Sequence, residues 1–272
     1  MGRMLKRVSL LGLLAASALS SAAAATPPDA AALKRAADRG DRLYAYDQAA
    51  WVSTDEMLKQ LPNPKAAGVA GWIVEETVDH LHVVFYRVEH DTRAAVFTAE
   101  VLGKQVLSTH RLSPTDDNHL TPFELRLIQA REAAATEHVD SCTAARMNVV
   151  VLPPSGGQNP VPVYLLSAQV KKGEYPFGGH YEVDVGPDGK VVAKRAFTHA
   201  CLNMPAPPPA APGKPAFAVV THLMDFSPTE IHVFLSRWMG TPVVVLTPVT
   251  DPPTSEHRTW IVDGDQITLA KN

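Results

Sequence analysis

The chain has 272 residues, and its 25 lysines and arginines against 28 aspartates and glutamates give a net charge of −3. We find no cluster of basic residues, whereas nucleic-acid-binding proteins use clustered lysines and arginines to neutralise phosphates. We therefore expect no nucleic-acid partner, and an acidic chain also lacks the positive charge that attracts proteins to anionic membrane surfaces.

Residues 1–25 have the three parts of a secretory signal peptide. Arg3, Lys6 and Arg7 form a positive start, Val8–Leu19 are apolar, and small residues suitable for a signal peptidase follow. The apolar run is about half of the roughly 20 residues that a membrane-spanning helix needs. We therefore predict cleavage, a periplasmic or secreted mature chain without a transmembrane segment, and a bacterial-type export signal.

The segment after the signal peptide is predicted to be helical. Ala30–Ala37 and Leu43–Leu61 carry apolar residues at helical spacing. Ser53 or Thr54 is placed to cap a helix that continues through Leu58, and the prolines that follow end it.

From residue 71 the apolar period changes to two, which predicts an antiparallel meander. Its four strands are Trp72–Glu76, Leu81–Val88, Ala94–Leu102 and Gln105–Leu112. Thr121, Pro122 and Glu124 then give an N-cap, a proline at the first helical position and an acidic first turn. A helix is predicted from there to about Glu137.

The next block is predicted to be antiparallel β-structure. Asn148–Leu152 and Val163–Lys171 are apolar strands interrupted by prolines and glycines. Gly179–Val185 and Lys190–Thr198 form the clearest hairpin of the sequence, joined by a Pro-Asp-Gly turn.

A spacer at residues 205–215 holds six prolines in eleven positions and is the predicted domain boundary. It separates a main domain, 26–204, from a C-terminal unit, 216–272, which is predicted to be all β and to pack on the main domain. The predicted strands of this unit are Phe217–Met224, Ile231–Trp238, Pro242–Thr247, Arg258–Val262 and Gln266–Leu269. The fold class is therefore α+β, mainly antiparallel sheet in a meander and hairpins, with two or three packing helices.

Two cysteines, Cys142 and Cys201, are the only ones in the chain. In an oxidising compartment such a pair is typical of a structural disulfide, and closing this loop would stabilise the fold by roughly 4 kcal/mol. The alternatives are a nucleophilic thiol and a mixed metal site with His138 or His199, although the paired spacing of zinc-binding cysteines is absent.

Histidines are the other candidate functional residues. His80 and His82 lie two apart and project from the same face of a strand, which is half of a metal site. His199 and His180 flank the central hairpin, and Asp184 near His180 places a carboxylate beside an imidazole, as acid–base catalysis requires. Ordinary surface or hydrogen-bonded histidines are the alternative interpretation.

No motif of a common hydrolase or nucleotide enzyme is present in the sequence, and we expect no cofactor. Trp72 and Trp238 lie within strand patterns and are expected in the core, unless an exposed subset of the aromatic residues lines a ligand groove. The leading hypothesis is an exported, non-catalytic or envelope-associated protein that binds an envelope protein, or a small apolar or peptide ligand, across a sheet face or edge. The alternatives are an exported hydrolase with a dispersed histidine–carboxylate site and a histidine-based metal-binding protein.

Overall fold

The computed structural model describes residues 28–113, 115–208, 216–251 and 253–271. The predicted signal peptide lies outside these ranges, as do residues 209–215 of the proline spacer. Within them the chain forms three helices and four mainly antiparallel sheets, which confirms the predicted α+β class. None of the described helices is long and apolar enough to cross a membrane.

The first helix, α1, runs without interruption through Ala30–Gln60. The carboxylate of Asp29 caps it by accepting a hydrogen bond from the backbone N–H of Ala31 at 2.9 Å. The predicted caps Ser53 and Thr54 are wrong, because both residues lie inside the helix. Ser53 is buried, and the hydroxyl of Thr54 donates to the carbonyl of Ala50 at 2.7 Å. A hydroxyl that bonds one turn back is compatible with a helix interior, so it did not mark a helix start.

The first sheet confirms the predicted meander, with strands in the order β1-β2-β3-β4, all antiparallel. Its strands are β1 (Val69–Glu76), β2 (Leu81–Glu89), β3 (Thr92–Leu102) and β4 (Gln105–Arg111). Alternation of side chains gives the sheet two apolar faces, with Val74 and Phe85 packed in one hydrophobic cluster and Ile73 and Val84 in another.

The second helix, α2 (Pro122–Ala135), begins where the sequence predicted. Glu124 accepts a hydrogen bond from the Thr121 N–H at 2.6 Å, and the Thr121 hydroxyl accepts from the Glu124 N–H at 3.1 Å. This reciprocal pair is a capping box, which satisfies two of the N–H groups left free at the helix start.

The central sheet has the order β5-β6-β8-β9, and a two-stranded ladder joins β7 to β10. The strands are β5 (Asn148–Val151), β6 (Val161–Leu166), β7 (Glu174–Pro176), β8 (Tyr181–Val185), β9 (Val191–Ala196) and β10 (Asn203–Pro205). Strands β8 and β9 confirm the predicted hairpin, and α2 packs against this sheet.

The C-terminal part is not all β, so the predicted strand Ile231–Trp238 is wrong. These residues belong to a third helix, α3 (Glu230–Met239). The remaining elements are β11 (Ala218–Thr221), β12 (Val243–Pro248), β13 (His257–Asp263) and β14 (Gln266–Leu269). The helix connects β11 to β12, which pair in parallel, whereas β12, β13 and β14 are antiparallel as predicted.

The hydrophobic pattern of α3 explains the error. Ile231, Phe234, Leu235 and Trp238 recur at helical spacing, but their branched and aromatic side chains also suit a strand. Gly240 ends the helix with a φ of 62°, a left-handed conformation that favours glycine.

Helix α3 packs directly on α1. One hydrophobic cluster includes Leu43 of α1, Phe85 of β2 and Phe234 of α3, so the first and last thirds of the chain share a core. The close approach occurs at Gly40, where a Cβ atom would overlap the side chain of Val233. The division at residues 205–215 into a main domain and a C-terminal unit stays a prediction.

Candidate ligand-binding cleft

A cleft of about 320 Å³ lies where α1, β1, β5, the segment after β6 and the end of α3 meet. Its volume lies at the lower end of the range for small-molecule sites. We call it the tryptophan cleft, and it is lined by Asp47, Ala50, Trp51, Thr54, Asp55, Trp72, Asn148, Ala168, Gln169 and Trp238.

Helix α1 supplies half of this lining. Asp47, Trp51 and Asp55 are spaced by four residues, so their side chains follow one another along one face of the helix. Their depth differs: Asp47 is only 7% exposed, whereas Trp51 is 52% exposed. The helix therefore presents a buried carboxylate at one end of the cleft and an exposed indole one turn further on.

Three of the four tryptophans of the chain line the cleft. Trp238 is held by its neighbours, because its ring packs edge to face on Tyr175 at 5.2 Å and is tilted against Phe234 at 5.4 Å between centroids. The guanidinium of Arg131 lies 4.9 Å from the ring centroid of Trp72. Trp51 has the largest exposed aromatic surface of the three, and ring surface at a concave site binds flat or apolar groups.

Asp47 is the electrostatic centre of the cleft. Its two oxygens accept long hydrogen bonds, both at 3.4 Å, from the side-chain amides of Asn148 and Gln48. Burial raises the pKa of Asp47 from its usual 3.8 to about 6, and the two amide hydrogen bonds act in the opposite direction. The other charged residue of the lining is Asp55, and no lysine, arginine or histidine of the described chain lines the cleft.

The predicted metal residues His80 and His82 converge on one carboxylate. Nδ1 of His82 lies 2.6 Å from one oxygen of Glu100, and Nε2 of His80 lies 2.7 Å from the other. His80 also contacts Asp79, and that hydrogen bond is the main reason why the pKa of His80 is raised. Among the described residues no group of three or more His, Cys, Asp or Glu side chains has an arrangement that could hold a metal ion. The metal-binding role of His80 and His82 stays a prediction.

The predicted acid–base residues lie in different surroundings. His180 is fully buried: its Nδ1 accepts from the Ser167 N–H at 3.3 Å, and its Nε2 donates to the carbonyl of Pro176 at 2.8 Å. Burial lowers the pKa of His180 to about 4, so the imidazole is neutral at pH 7. Asp184 lines a separate groove, and His199 is exposed.

No hydrogen bond or ion pair of the described chain joins His180, Asp184 and His199. Both ring nitrogens of His180 are hydrogen-bonded to backbone groups, which is the arrangement of a histidine with a structural role. A catalytic role for these residues stays a prediction.

The disulfide prediction is confirmed. Cys142 and Cys201 are bonded, with their Cα atoms 5.2 Å apart. The bond ties the segment after α2 to the segment between β9 and β10. Because these are the only cysteines of the chain, neither is free to act as a thiol nucleophile or a metal ligand.

Sequence reasoning missed the tryptophan cleft. Trp72 and Trp238 were expected in the core or in a ligand groove, whereas Asp47 and Trp51 were not singled out. The signal that points to them is an acid and an aromatic residue at a spacing of four in a helix, which is common in solvated helix faces.

The chain matches no protein-family model, no characterised protein and no solved structure.

Proposed function

We propose that this is an exported binding protein that holds a small organic ligand in the tryptophan cleft. The observation that carries the proposal is that three tryptophans and one buried carboxylate line the same concave site. Concave sites that combine aromatic side chains with convergent polar groups, one of them with a perturbed pKa, are typical of ligand-binding sites. Asp47 supplies that perturbed group, and the amides of Asn148 and Gln169 supply further hydrogen-bonding capacity.

Export is supported by two features. The first 25 residues have the composition of a signal peptide, and the Cys142–Cys201 disulfide is the kind of bond that persists in oxidising compartments. We accordingly propose a periplasmic or extracellular location. An envelope protein that pairs with a sheet edge remains a further proposed partner.

Binding is the function that this lining supports best. Within the described chain the cleft contains carboxylates, amides, a hydroxyl and indoles, but no imidazole or thiol. A hydroxyl nucleophile normally needs an adjacent base, and Thr54 instead donates its hydrogen to the carbonyl of Ala50. The residues therefore suit recognition of a ligand more than covalent chemistry on it.

The proposal is tested with a panel of small neutral, cationic and anionic aromatic compounds, using thermal stability and tryptophan fluorescence as readouts. We expect at least one charge class to raise the melting temperature and to change the fluorescence of the wild type. Trp51→Ala should lose about five- to tenfold in affinity, since stacking on an indole is worth about 1 to 1.5 kcal/mol.

The matched control is Phe123→Ala, which removes a similarly exposed aromatic side chain from α2, far along the chain from the cleft residues. Phe123 is 42% exposed and does not line the cleft. We expect this variant to bind as the wild type does. If no class binds, or if Trp51→Ala and Phe123→Ala behave alike, the cleft is not a ligand site.

A further inference from the structure

The second inference concerns the charge of the ligand and rests on the proposed function of the cleft. We infer that the ligand is an organic cation, and that the carboxylate of Asp47 is its counter-ion. An amine or quaternary ammonium group would lie between this carboxylate and the tryptophan rings.

Asp47 differs from the other buried acids of the described chain. Glu182 lies 2.6 Å from the guanidinium of Arg39, and Glu230 accepts from the Tyr164 hydroxyl at 2.8 Å. Glu124 accepts a backbone N–H at 2.6 Å in its capping box. Asp47 has only the two amide contacts at 3.4 Å and no positive partner within the described ranges.

A buried carboxylate without a cation lowers the stability of the folded state, because burial removes the hydrating water and no positive group compensates for the lost hydration. The cost is relieved when a cation enters the site. An anionic ligand would add repulsion from both Asp47 and Asp55. A neutral ligand would cover the carboxylate further without pairing with it, so a cationic ligand gains most from this position.

Two arginines that adjoin cleft residues, one in the sequence and one in space, are already engaged with other groups. Arg237, next to Trp238, contacts Asp41 at 2.6 Å and Asp265 at 3.4 Å. Arg131 stacks on Trp72 and donates a hydrogen bond to the carbonyl of Val149. The cleft therefore carries two acidic side chains and no compensating base from its lining.

The cleft also offers indole rings to a cation. Indole is the best of the natural rings for holding a cation over its face, within about 6 Å of the centroid. The half-exposed ring of Trp51 is available for this contact, whereas Trp72 already carries the Arg131 guanidinium and Trp238 packs on Tyr175 and Phe234. The lining thus combines a buried carboxylate with indole rings, and aromatic rings are the groups that recognise quaternary ammonium ions in aromatic cages.

The inference also predicts how binding depends on pH. The titratable side chains that line the cleft are Asp47, on the buried side of α1, and the exposed Asp55. Because burial raises the pKa of Asp47 to about 6, its protonation at lower pH removes the counter-ion. Affinity for a permanent cation should be about tenfold lower at pH 5 than at pH 7.

The test uses two pairs of nearly isosteric probes, choline with 3,3-dimethylbutan-1-ol and benzylamine with benzyl alcohol. Each is titrated into the untagged, oxidised protein at pH 7 and followed by tryptophan fluorescence and calorimetry. We expect the cation of at least one pair to bind at least tenfold more tightly than its neutral partner. Asp47→Asn should abolish this preference, because it removes the counter-ion of the cation. Asp38→Asn, the same charge change at an exposed site of α1 outside the cleft, should leave both affinities unchanged.

The outcomes separate this inference from the proposed function. If probes bind but in neither pair is the cation bound more tightly than its neutral partner, the ligand class is wrong and the cleft remains a binding site. If the preference for the cation persists in Asp47→Asn, the counter-ion lies elsewhere and the inference is overturned. If no member of either pair binds at millimolar concentration, the inference fails together with the proposed function.

Discussion

Replacing Asp47 by asparagine should stabilise the folded protein at neutral pH. The substitution keeps the shape of the side chain and one of the two oxygens that accept from Asn148 and Gln48, but removes the buried charge. A pKa raised from 3.8 to about 6 at a residue only 7% exposed corresponds to a penalty of about 3 kcal/mol for the ionised form at pH 7. We expect Asp47→Asn to increase the free energy of unfolding by about 1 to 3 kcal/mol.

The gain depends on pH with a definite sign. The pKa of Asp47 is higher in the folded protein than in the unfolded chain, so the folded protein retains its proton to higher pH. As pH rises from about 4 to about 6, the unfolded chain ionises while the folded state still holds the proton, and stability falls. Below this window both states are protonated, and the penalty disappears.

The assay is urea unfolding of oxidised wild type and Asp47→Asn at pH 7 and at pH 4. The difference in the free energy of unfolding should be largest at pH 7 and below about 1 kcal/mol at pH 4. Asp55→Asn is the control from the same helix and cleft; as an exposed residue it should change stability by no more than about 0.5 kcal/mol. A destabilised Asp47→Asn at pH 7, or an equal difference at both pH values, would refute the buried-charge argument.

Two further predictions concern the framework that holds the cleft. Replacing Cys142 and Cys201 by alanine should lower the free energy of unfolding by about 4 kcal/mol, because the bond closes a loop with a sequence separation of 59 residues; a loss below 1 kcal/mol by urea unfolding would contradict this. Gly40→Ala should destabilise by about 1 to 2 kcal/mol despite the better helix propensity of alanine, because its Cβ would overlap Val233 where α1 meets α3. Gly157→Ala, whose Cβ meets nothing within 4 Å, is the control, and equal stability of the two variants would disprove the close helix contact.

The parts of the fold that the sequence predicted carry strong local signals. The meander follows from alternation of apolar residues between short turns. The start of α2 follows from Thr121, Pro122 and Glu124, whose cap, fixed φ and acidic first turn all indicate one position. The disulfide follows from the export signal and the presence of only two cysteines. Each of these inferences needs only neighbouring residues or a count.

Helix α3 was missed because its composition suits two structures. Branched and aromatic residues dominate Ile231–Trp238, and periods of two and of 3.6 both fit so short a run. The flanks, Thr229 as a cap residue and Gly240 at the end, favoured the helix. The error also concealed part of the cleft. A strand would place Trp238 on a sheet, whereas in the structure Trp238 lies in the last turn of α3, the helix that packs on α1.

The tryptophan cleft could not be predicted because no local pattern contains it. Its residues come from α1, β1, β5, the segment after β6 and α3, which the fold brings together across nearly 200 positions. The cleft can be identified only from the packing of α3 on α1. That packing depends on Gly40 and on a helix where the sequence had indicated a strand.

The choice of residue at position 47 provides the strongest link between stability and function in this chain. Leu43, Tyr46 and Ala50 of α1 are buried, and an apolar residue at position 47 would stabilise the same helix without a charge penalty. The fold instead keeps a carboxylate there, with two long amide contacts and three tryptophans around the cleft beside it. A residue that weakens the folded state, at a site open to solvent and lined by aromatic rings, is better explained by ligand binding than by packing. The proposed cation would neutralise the buried carboxylate of Asp47, for which the protein itself provides no positive partner in the described chain. Its binding should therefore offset the loss of folding stability that this charge causes.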